Sequence, residues 1–412
     1  MELKVKKIIT NEIAKRYQKA RKKEKNNILN EFCKLTNYNR MYASYILRNW
    51  NRKIYLRKNG KLIGYIAGET KKAKRHKLRI YTDKVINVLK KIWYICDCIC
   101  GKRLAPILKE IVPILEKHKE ITLDDKTRDL LFKISPATID RALKEERKLC
   151  TLKTKGKTKP AILLKHQIPI RTFSEWDDKK PGFVEVDLVS HDGGEIHGDF
   201  IQTLDLTDIA TTWTETRAVK NKAQIWVFEA LEDIIKQLPF KILGIDSDNG
   251  SEFINNHLLK FCLKEKITFT RTRPYRKNDN CFVEQKNYSI VRRYVGYYRY
   301  DTEEELNFLN KLYKVLRLYT NFFLPTMKLV SKTRIGSRVS RKYDKPKTPY
   351  QRVLESAEIP EENKMRLRSL YKTLNPAELK RQIEELQEKL LNCMKKRDKI
   401  REVERDMCIL VR

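Results

Sequence analysis

The sequence predicts a multidomain protein of the α + α/β class. N-terminal helix-turn-helix bundles precede a core with a mixed sheet covered by helices, and a basic C-terminal region with a terminal helix follows. Three observations predict this. The 412 residues exceed one ordinary hydrophobic core and point to two to four domains. Apolar residues recur at helical spacing up to about residue 149 and alternate in strand fashion from Gly182 onward. Segments dense in Lys and Arg separate these regions. The expected boundaries are a helix-turn-helix module over 1–50, a basic linker over 51–80, a second helix-turn-helix module over 81–149, a linker over 150–180, the core over 181–325 and a basic arm with its helix over 326–412.

The formal net charge is +36, from 89 Lys and Arg against 53 Asp and Glu. Such a charge destabilises a compact state by self-repulsion unless something neutralises it. Nucleic acid is the obvious polyanion, although a basic protein of another kind, such as a ribosome-associated factor, carries the same balance. No apolar run reaches the roughly 18 residues of a membrane helix, and Met1 to Thr10 lacks the apolar stretch and cleavage site of a signal peptide. The expectation is a soluble, intracellular protein with no membrane partner. Nine scattered cysteines do not resemble a disulfide framework. Cys96, Cys98 and Cys100 alternate, but no second pair or histidine follows at zinc-ligand spacing, so they read as buried or half-buried thiols.

Two helix pairs are expected in the first third. Asn27 to Leu35 carries Ile28, Leu29 and Phe32, Thr36 to Asn39 breaks the pattern, and Arg40 to Trp50 places Tyr42, Ile46 and Trp50 on one face. This is a helix-turn-helix candidate, with Arg40, Ser44 and Arg48 on another face free to meet DNA; a plain helical hairpin is the alternative. The second candidate is sharper. Ser135 is a good N-cap and Pro136 suits the first helical turn, so Ala137 to Lys148 follows the helix bearing Leu130, Leu131 and Ile134, with Thr138, Arg141 and Lys144 exposed. Between the pairs, residues 51–80 hold eleven Lys or Arg and one acid, Glu69, as expected of a flexible or strand-containing linker lying on phosphates. Thr151 to Pro160 has the composition of a solvated connector.

From Gly182 the pattern changes. Phe183 to Ser190 reads as a strand with Val184, Val186 and Leu188 on one face and Glu185 and Asp187 on the other. Strands follow at Phe200–Leu206, Thr212–Val219, Lys241–Ser247 and Ile267–Arg271, and helices at Lys222–Leu238, Ser251–Glu265 and Asn278–Gly296. That order suits a ribonuclease-H-like fold.

Three runs carry a resemblance. Val184-Glu185-Val186-Asp187, Ser247-Asp248-Asn249-Gly250-Ser251-Glu252-Phe253 and Asn278-Asp279-Asn280-Cys281-Phe282-Val283-Glu284-Gln285-Lys286-Asn287 resemble the core of bacterial insertion-sequence transposases, relatives of the retroviral integrases. Thirty-five residues separate Asp248 from Glu284, the spacing typical of that group. The resemblance covers about residues 180–325 and extends more loosely to the helix-turn-helix segments. It implies that Asp187, Asp248 and Glu284 are catalytic and hold metal, with Mg²⁺ as cofactor, two ions in number, and Mn²⁺ able to substitute. It also implies that the chain cuts the ends of its own element and joins them to target DNA. The implied setting is a homodimer or higher oligomer on DNA in the bacterial cytoplasm, at the nucleoid.

The residue types suit that chemistry. Two ions about 3.5–4 Å apart can clamp the attacking and leaving oxygens of an in-line phosphoryl transfer, and Mg²⁺ prefers hard oxygen ligands. An unpaired carboxylate between apolar residues, as at Asp187, is costly, and a metal relieves the cost. Asp246 and Asp205 compete as ligands but read as structural, and His191 and His197 read as hydrogen-bonded or surface residues. Asn287, Tyr288 and Arg292 share a helix face with Glu284, and Lys277, Lys286, Arg292 and Arg293 add charge there; this face is expected to hold the DNA end. Two other functions remain open: a helix-turn-helix transcription regulator with a degenerate core, and a ribonuclease-H-like nuclease that does not join strands.

After the helix Glu303–Asn321, residues 326–350 hold eight Lys or Arg against Asp344. Lys332, Arg334, Arg338, Arg341 and Lys342 mark a DNA-binding arm. Asn375 and Pro376 then open a helix whose Leu379, Ile383, Leu386, Leu390 and Cys393 form a short heptad seam, for self-association or for packing on the chain's own core.

Overall fold

The computed structural model describes residues 3–58, 61–66, 80–149, 180–248, 250, 253, 256–271 and 281–410. The chain divides into two units, Met1–Ile80 and Tyr81–Arg412.

In the first unit α1 (Leu3–Lys19), α2 (Lys22–Thr36) and α3 (Arg40–Asn49) enclose Ala14, Phe32, Ala43 and Leu47. At the α2–α3 turn, Asn37 adopts a left-handed backbone with φ 56°, which a short polar side chain tolerates. Asn39 then accepts the Met41 N–H at 2.9 Å and starts α3. The buried face of α3 differs from the one read off the sequence: Ala43 and Leu47 are fully buried, whereas Tyr42 is exposed. The small Ala43 lets α3 pack on α1, and a pattern weighted toward bulky residues misses that phase. Trp50 instead donates its indole N–H to Asn11 at 3.0 Å. Part of the basic stretch 51–80 forms an antiparallel hairpin, β1 (Lys53–Lys58) with β2 (Lys61–Ile66); the segment 67–79, and residues 150–179 of the linker expected over 150–180, lie outside the described residues.

The second unit opens with α4 (Asp83–Ile95), α5 (Gly101–Lys117), α6 (Asp125–Lys133), α7 (Pro136–Ala142) and α8 (Lys144–Leu149). Read from sequence as a separate module, these helices share one continuous core with the sheet region. Buried polar contacts stitch them to it. Tyr319 donates its hydroxyl to the Ile95 carbonyl, and Arg103 donates to the Pro325 carbonyl. At Gly101 a Cβ would sit 2.3 Å from the Pro136 carbonyl oxygen, so α5 and α7 meet at a point where only glycine fits.

The sheet comprises β3 (Phe183–Ser190), β4 (Gln202–Asp208), β5 (Thr214–Val219), β6 (Gly244–Ser247) and β7 (Thr268–Arg271), in spatial order β5-β4-β3-β6-β7. The first three run antiparallel and β6 and β7 run parallel to β3, giving the mixed sheet expected. Around it lie α9 (Gln224–Gln237), α10 (Asn256–Lys264), α11 (Cys281–Lys286), a π-helical turn (Asn287–Arg292), α12 (Arg293–Val295) and α13 (Glu303–Phe323). The helix expected over 278–296 is thus interrupted. The π turn inserts an extra residue and rotates everything after Lys286 about the axis. Gly296, at φ 72°, ends the run.

Edge strand β5 is closed by α13. Asn321 accepts from the Thr214 N–H and donates to the Thr214 carbonyl, at 3.0 and 2.8 Å. Asn310 does the same for Ala218, at 2.9 and 3.0 Å. Two asparagines thereby satisfy backbone groups that an open edge would leave unpaired. Beyond α13 the basic arm is a two-stranded ribbon, β8 (Leu329–Ile335) and β9 (Arg338–Tyr343), followed by α14 (Pro349–Glu355), α15 (Glu361–Thr373) and α16 (Pro376–Leu410). Asp344, the arm's one acid, clamps its stem by accepting the Lys328 N–H and pairing with Arg352 at 2.8 Å. The α16 seam packs on the chain's own core: Leu379, Ile383 and Leu390 are buried there.

Asn321→Ala removes both partners of buried Thr214 backbone groups, so it should lower unfolding free energy by about 1–3 kcal/mol. Urea denaturation measures it; a loss within the roughly 0.5 kcal/mol of an ordinary surface substitution would contradict the edge-closing role.

Candidate active site

Strand alternation puts Glu185 and Asp187 on one face of β3, and cross-strand partners share that face. Asp187 stands opposite Asp205 of β4, and Glu185 stands beside Asp246 of β6. Asp248 follows one step beyond the Val186–Ser247 pair, where β6 ends, and accepts the Gly250 N–H at 2.8 Å. Helix α11 crosses this face and contacts both β3 and β4. The sheet and the helix thus gather six carboxylates, those of Glu185, Asp187, Asp205, Asp246, Asp248 and Glu284.

Asp187 accepts the Leu188 N–H at 2.9 Å and the Asn287 side-chain amide at 2.6 Å. Burial pushes its carboxyl up to about 7, and the negative charges of Asp248 and Glu284 push the same way against those two hydrogen bonds. Three residues distant in sequence therefore come within electrostatic reach. Their donor set is the hard-oxygen type that Mg²⁺ takes. A spare neutral oxygen is at hand as well, because Asn287 Oδ1 is buried without a hydrogen-bond partner. Among the described residues no three Asp, Glu, His or Cys side chains already converge at ligand distance. The carboxylates fit a divalent ion by charge and chemistry, which lowers the cost of holding them together.

The remaining acids have other duties. Glu185, fully buried, accepts the Phe282 and Val283 N–H groups at 2.9 and 3.0 Å. It caps the start of α11 from the sheet face that the helix crosses, just before Glu284. Asp246 accepts the Thr270 hydroxyl at 2.6 Å. Asp208 binds the Gly182 N–H and both donors of Thr211 and locks the β4–β5 turn; burial still raises it to about 6. Asp205 is fully buried, and the Thr207 hydroxyl near it makes no hydrogen bond of good geometry to either oxygen. Burial drives its carboxyl well up, the Lys286 ammonium draws it down, and Asp187 adds to the rise. Lys286 is itself buried, and its ammonium falls to about 8 because burial outweighs the pull of Asp205. His191 hydrogen-bonds Thr203 at 2.7 Å in the core, and burial lowers it to about 3.

The residues read as DNA contacts fall in several environments. Arg40 and Arg48 are exposed on α3, with Arg40 donating to Asn30 of α2. Thr138, whose N–H is capped by Ser135, and Arg141 lie on α7; Lys144 is exposed at the start of α8. Arg334, Arg338 and Arg341 are exposed on the ribbon, where Lys332 lies on β8. Lys277 lies outside the described residues. Asn287 is turned inward onto Asp187. Arg292 is half-buried and donates to the Ser190 and Gly296 carbonyls, while Arg293 pairs with Asp97 at 2.7 Å. Sequence reasoning missed the capping role of Glu185 and the Asp205–Lys286 couple. The alternation that places Glu185 beside Asp187 was a signal for the first; nothing local signals the second.

The chain is 38% identical to uncharacterized protein y4rM of Sinorhizobium fredii over 340 residues, covering 82% of this chain and 92% of that protein. No protein-family model matches the chain. Among solved structures, it is similar to the HTLV-2 integrase catalytic core domain in complex with magnesium, dimeric form, at 16% identity over 35% of this chain and 90% of that one, with a TM-score of 0.27. The catalytic core domain of BIV integrase gives 15% identity over 42% and 94%, with a TM-score of 0.27.

The raised Asp187 carboxyl has a consequence for stability. Its folded value of about 7 lies above the roughly 3.9 of an unfolded Asp, so folding takes up a proton between these values and stability falls as pH rises through that window. Asp187→Asn removes this contribution, and urea melts of metal-free protein should lose less stability between pH 4 and pH 7 than wild type does. Added Mg²⁺ should stabilise wild type more than the variant at pH 7.5. Parallel pH profiles, or equal Mg²⁺ shifts, would speak against the assigned environment.

Proposed function

Starting from a chain that belongs to one family with y4rM of Sinorhizobium fredii, we propose that it is a transposase whose metal-dependent core cleaves the ends of its own element and joins them to target DNA. The observation that carries this is the electrostatic coupling of Asp187, Asp248 and Glu284, three carboxylates from two strand positions and a helix on one sheet face. The sheet order with β6 and β7 parallel to β3, the spacing of the three motifs and the net charge of +36 support a polynucleotidyl-transferase core of ribonuclease-H-like type. A regulator of transcription needs no such carboxylate set.

In this reading Asp187, Asp248 and Glu284 would hold two divalent ions, Mg²⁺ or Mn²⁺. The ions, when bound, supply charge stabilisation to both oxygens of the in-line displacement. The chain supplies position. The Asn287 amide fixes the Asp187 carboxylate. Glu185 holds the first turn of α11 against the sheet, which limits how far Glu284 can wander; a misplacement of about 1 Å can cost roughly 10²-fold in rate. Helix pairs α2–α3 and α6–α7 act as helix-turn-helix elements, with Arg40, Arg48, Thr138, Arg141 and Lys144 facing DNA. The ribbon holds phosphates. The protein works as a homodimer or higher oligomer on DNA.

Glu284→Gln should retain gel-shift binding to element-end DNA and lose both cleavage and strand transfer into a plasmid, as should Asp187→Asn and Asp248→Asn; Asp246→Asn should be milder, because its partner is Thr270. Near-normal transfer by the Glu284 variant would identify the wrong carboxylate. Retained cleavage without joining in the wild type would indicate a nuclease.

Neutralising Lys332, Arg334, Arg338 and Arg341 together should weaken binding to all DNA sequences alike. The slope of log affinity against log salt should flatten by about 0.9 for each phosphate that the ribbon no longer neutralises. A loss confined to element ends would instead assign the ribbon a base-reading role.

A further inference from the structure

Behind the helix that carries Glu284 lies a cavity of about 410 Å³. Lys286, Ser289 and Arg293 line it from the α11 to α12 run, Arg103 from the first turn of α5, and Thr326 and Tyr343 from the stem of the ribbon. Its charge is unbalanced. Asp97 is the one carboxylate on the wall, and it is already shared by Arg293 at 2.7 Å and Lys380 at 3.2 Å. Arg103 gives its Nε–H to the Pro325 carbonyl and, among the described residues, has no carboxylate at ion-pair distance. Lys286 is 9% exposed and makes no hydrogen bond or ion pair there either. The charge of Asp205 attracts it from the sheet, while Arg103 and Arg352 repel it. Lys286 has only the buried Asp205 carboxyl to offset its charge and Arg103 has no carboxylate in contact, so enclosing both is costly, and an anion accepting charge-assisted hydrogen bonds from the two lowers that cost.

The other walls narrow the choice of anion. Ser289 and Thr326 offer hydroxyls, and Tyr343 presents a half-exposed ring. Base-on-aromatic stacking is a sequence-tolerant way to hold an unpaired nucleotide. The volume lies in the range of small-ligand sites and cannot admit a duplex. We propose that this cavity binds an unpaired nucleotide, its phosphate between Lys286 and Arg103 and its base against Tyr343. The transposase reading enters only in making a DNA strand, rather than a free nucleotide, the source. A strand processed on the Glu284 side of the helix then has a place for a displaced nucleotide on the other side.

The test uses the full-length protein, Arg103→Gln and Lys286→Met. The second variant keeps the length of the side chain and removes its charge. In thermal melts, inorganic phosphate should raise the Tm of wild type and leave both variants unmoved. In fluorescence-anisotropy titrations, a duplex with a short single-stranded extension should bind wild type about tenfold more tightly than a blunt duplex, the size of one charge-assisted hydrogen bond. Both variants should lose that advantage and keep blunt-duplex binding. Equal binding of the two duplexes by wild type, or an unchanged advantage in both variants, overturns the proposal. Failure of wild type to bind any DNA overturns the transposase reading instead; Tm shifts of wild type, absent in both variants, with inorganic phosphate and with free mononucleotide then decide whether the cavity serves a free nucleotide.

Discussion

Six carboxylates share one face of the central sheet and the helix that crosses it, and the rest of the second unit is arranged around keeping them there. Like charges in a low-dielectric setting raise one another's proton affinity, and burying any of them unaided is costly. Each is handled differently. Glu185 accepts hydrogen bonds from two backbone amides of α11. Asp246 leans on the Thr270 hydroxyl. Asp205 faces the buried ammonium of Lys286. Asp187 receives the Asn287 amide but remains pushed up, with Asp248 and Glu284 adding to the pressure. The charges of Asp248 and Glu284 thus press on Asp187, where a divalent cation could relieve them.

The same need explains the broken helix. Glu284 leaves α11 exposed, whereas Lys286 is buried and Asn287 points back to Asp187. An uninterrupted α-helix from Cys281 would have to serve these roles and still place Ile290 and Val291 in the core. The π turn over Asn287–Arg292 supplies an extra residue and re-phases the chain, so that Arg292 reaches the Ser190 carbonyl at the far end of β3. Helix α13 supports the arrangement from the opposite edge by pairing with the backbone of β5. Its own first turn is held by Glu305, which accepts from the Thr302 N–H and pairs with Arg397 of α16.

Much of this was legible from residues alone, because the signals are local. Alternation over Phe183–Ser190 fixes which side chains share a face with Asp187. Ser135-Pro136 fixes the start of α7 through a cap that the structure contains, and Asn375 caps α16 by accepting the Ala377 N–H. Reading failed where packing decides. The buried phase of α3 turns on Ala43, a small residue whose importance lies in the helix it lets approach. Cores merge or separate according to contacts far apart in sequence, such as Tyr319 with Ile95, so helices α4 to α8 could not be assigned to the sheet's unit from their own pattern.

The alternation of the strands, the caps and turns, the excess of positive charge and the spacing of the three acidic motifs follow from the order of residues alone. Each depends on neighbours within a few residues or on plain composition. Long-range packing makes Glu185 a cap, buries Lys286 within the pull of Asp205, turns the terminal heptad seam inward and encloses a cationic cavity behind Glu284. Those outcomes come from surfaces meeting across a hundred residues or more, where the desolvation of a charge depends on what the fold brings against it and not on the residues beside it in the chain.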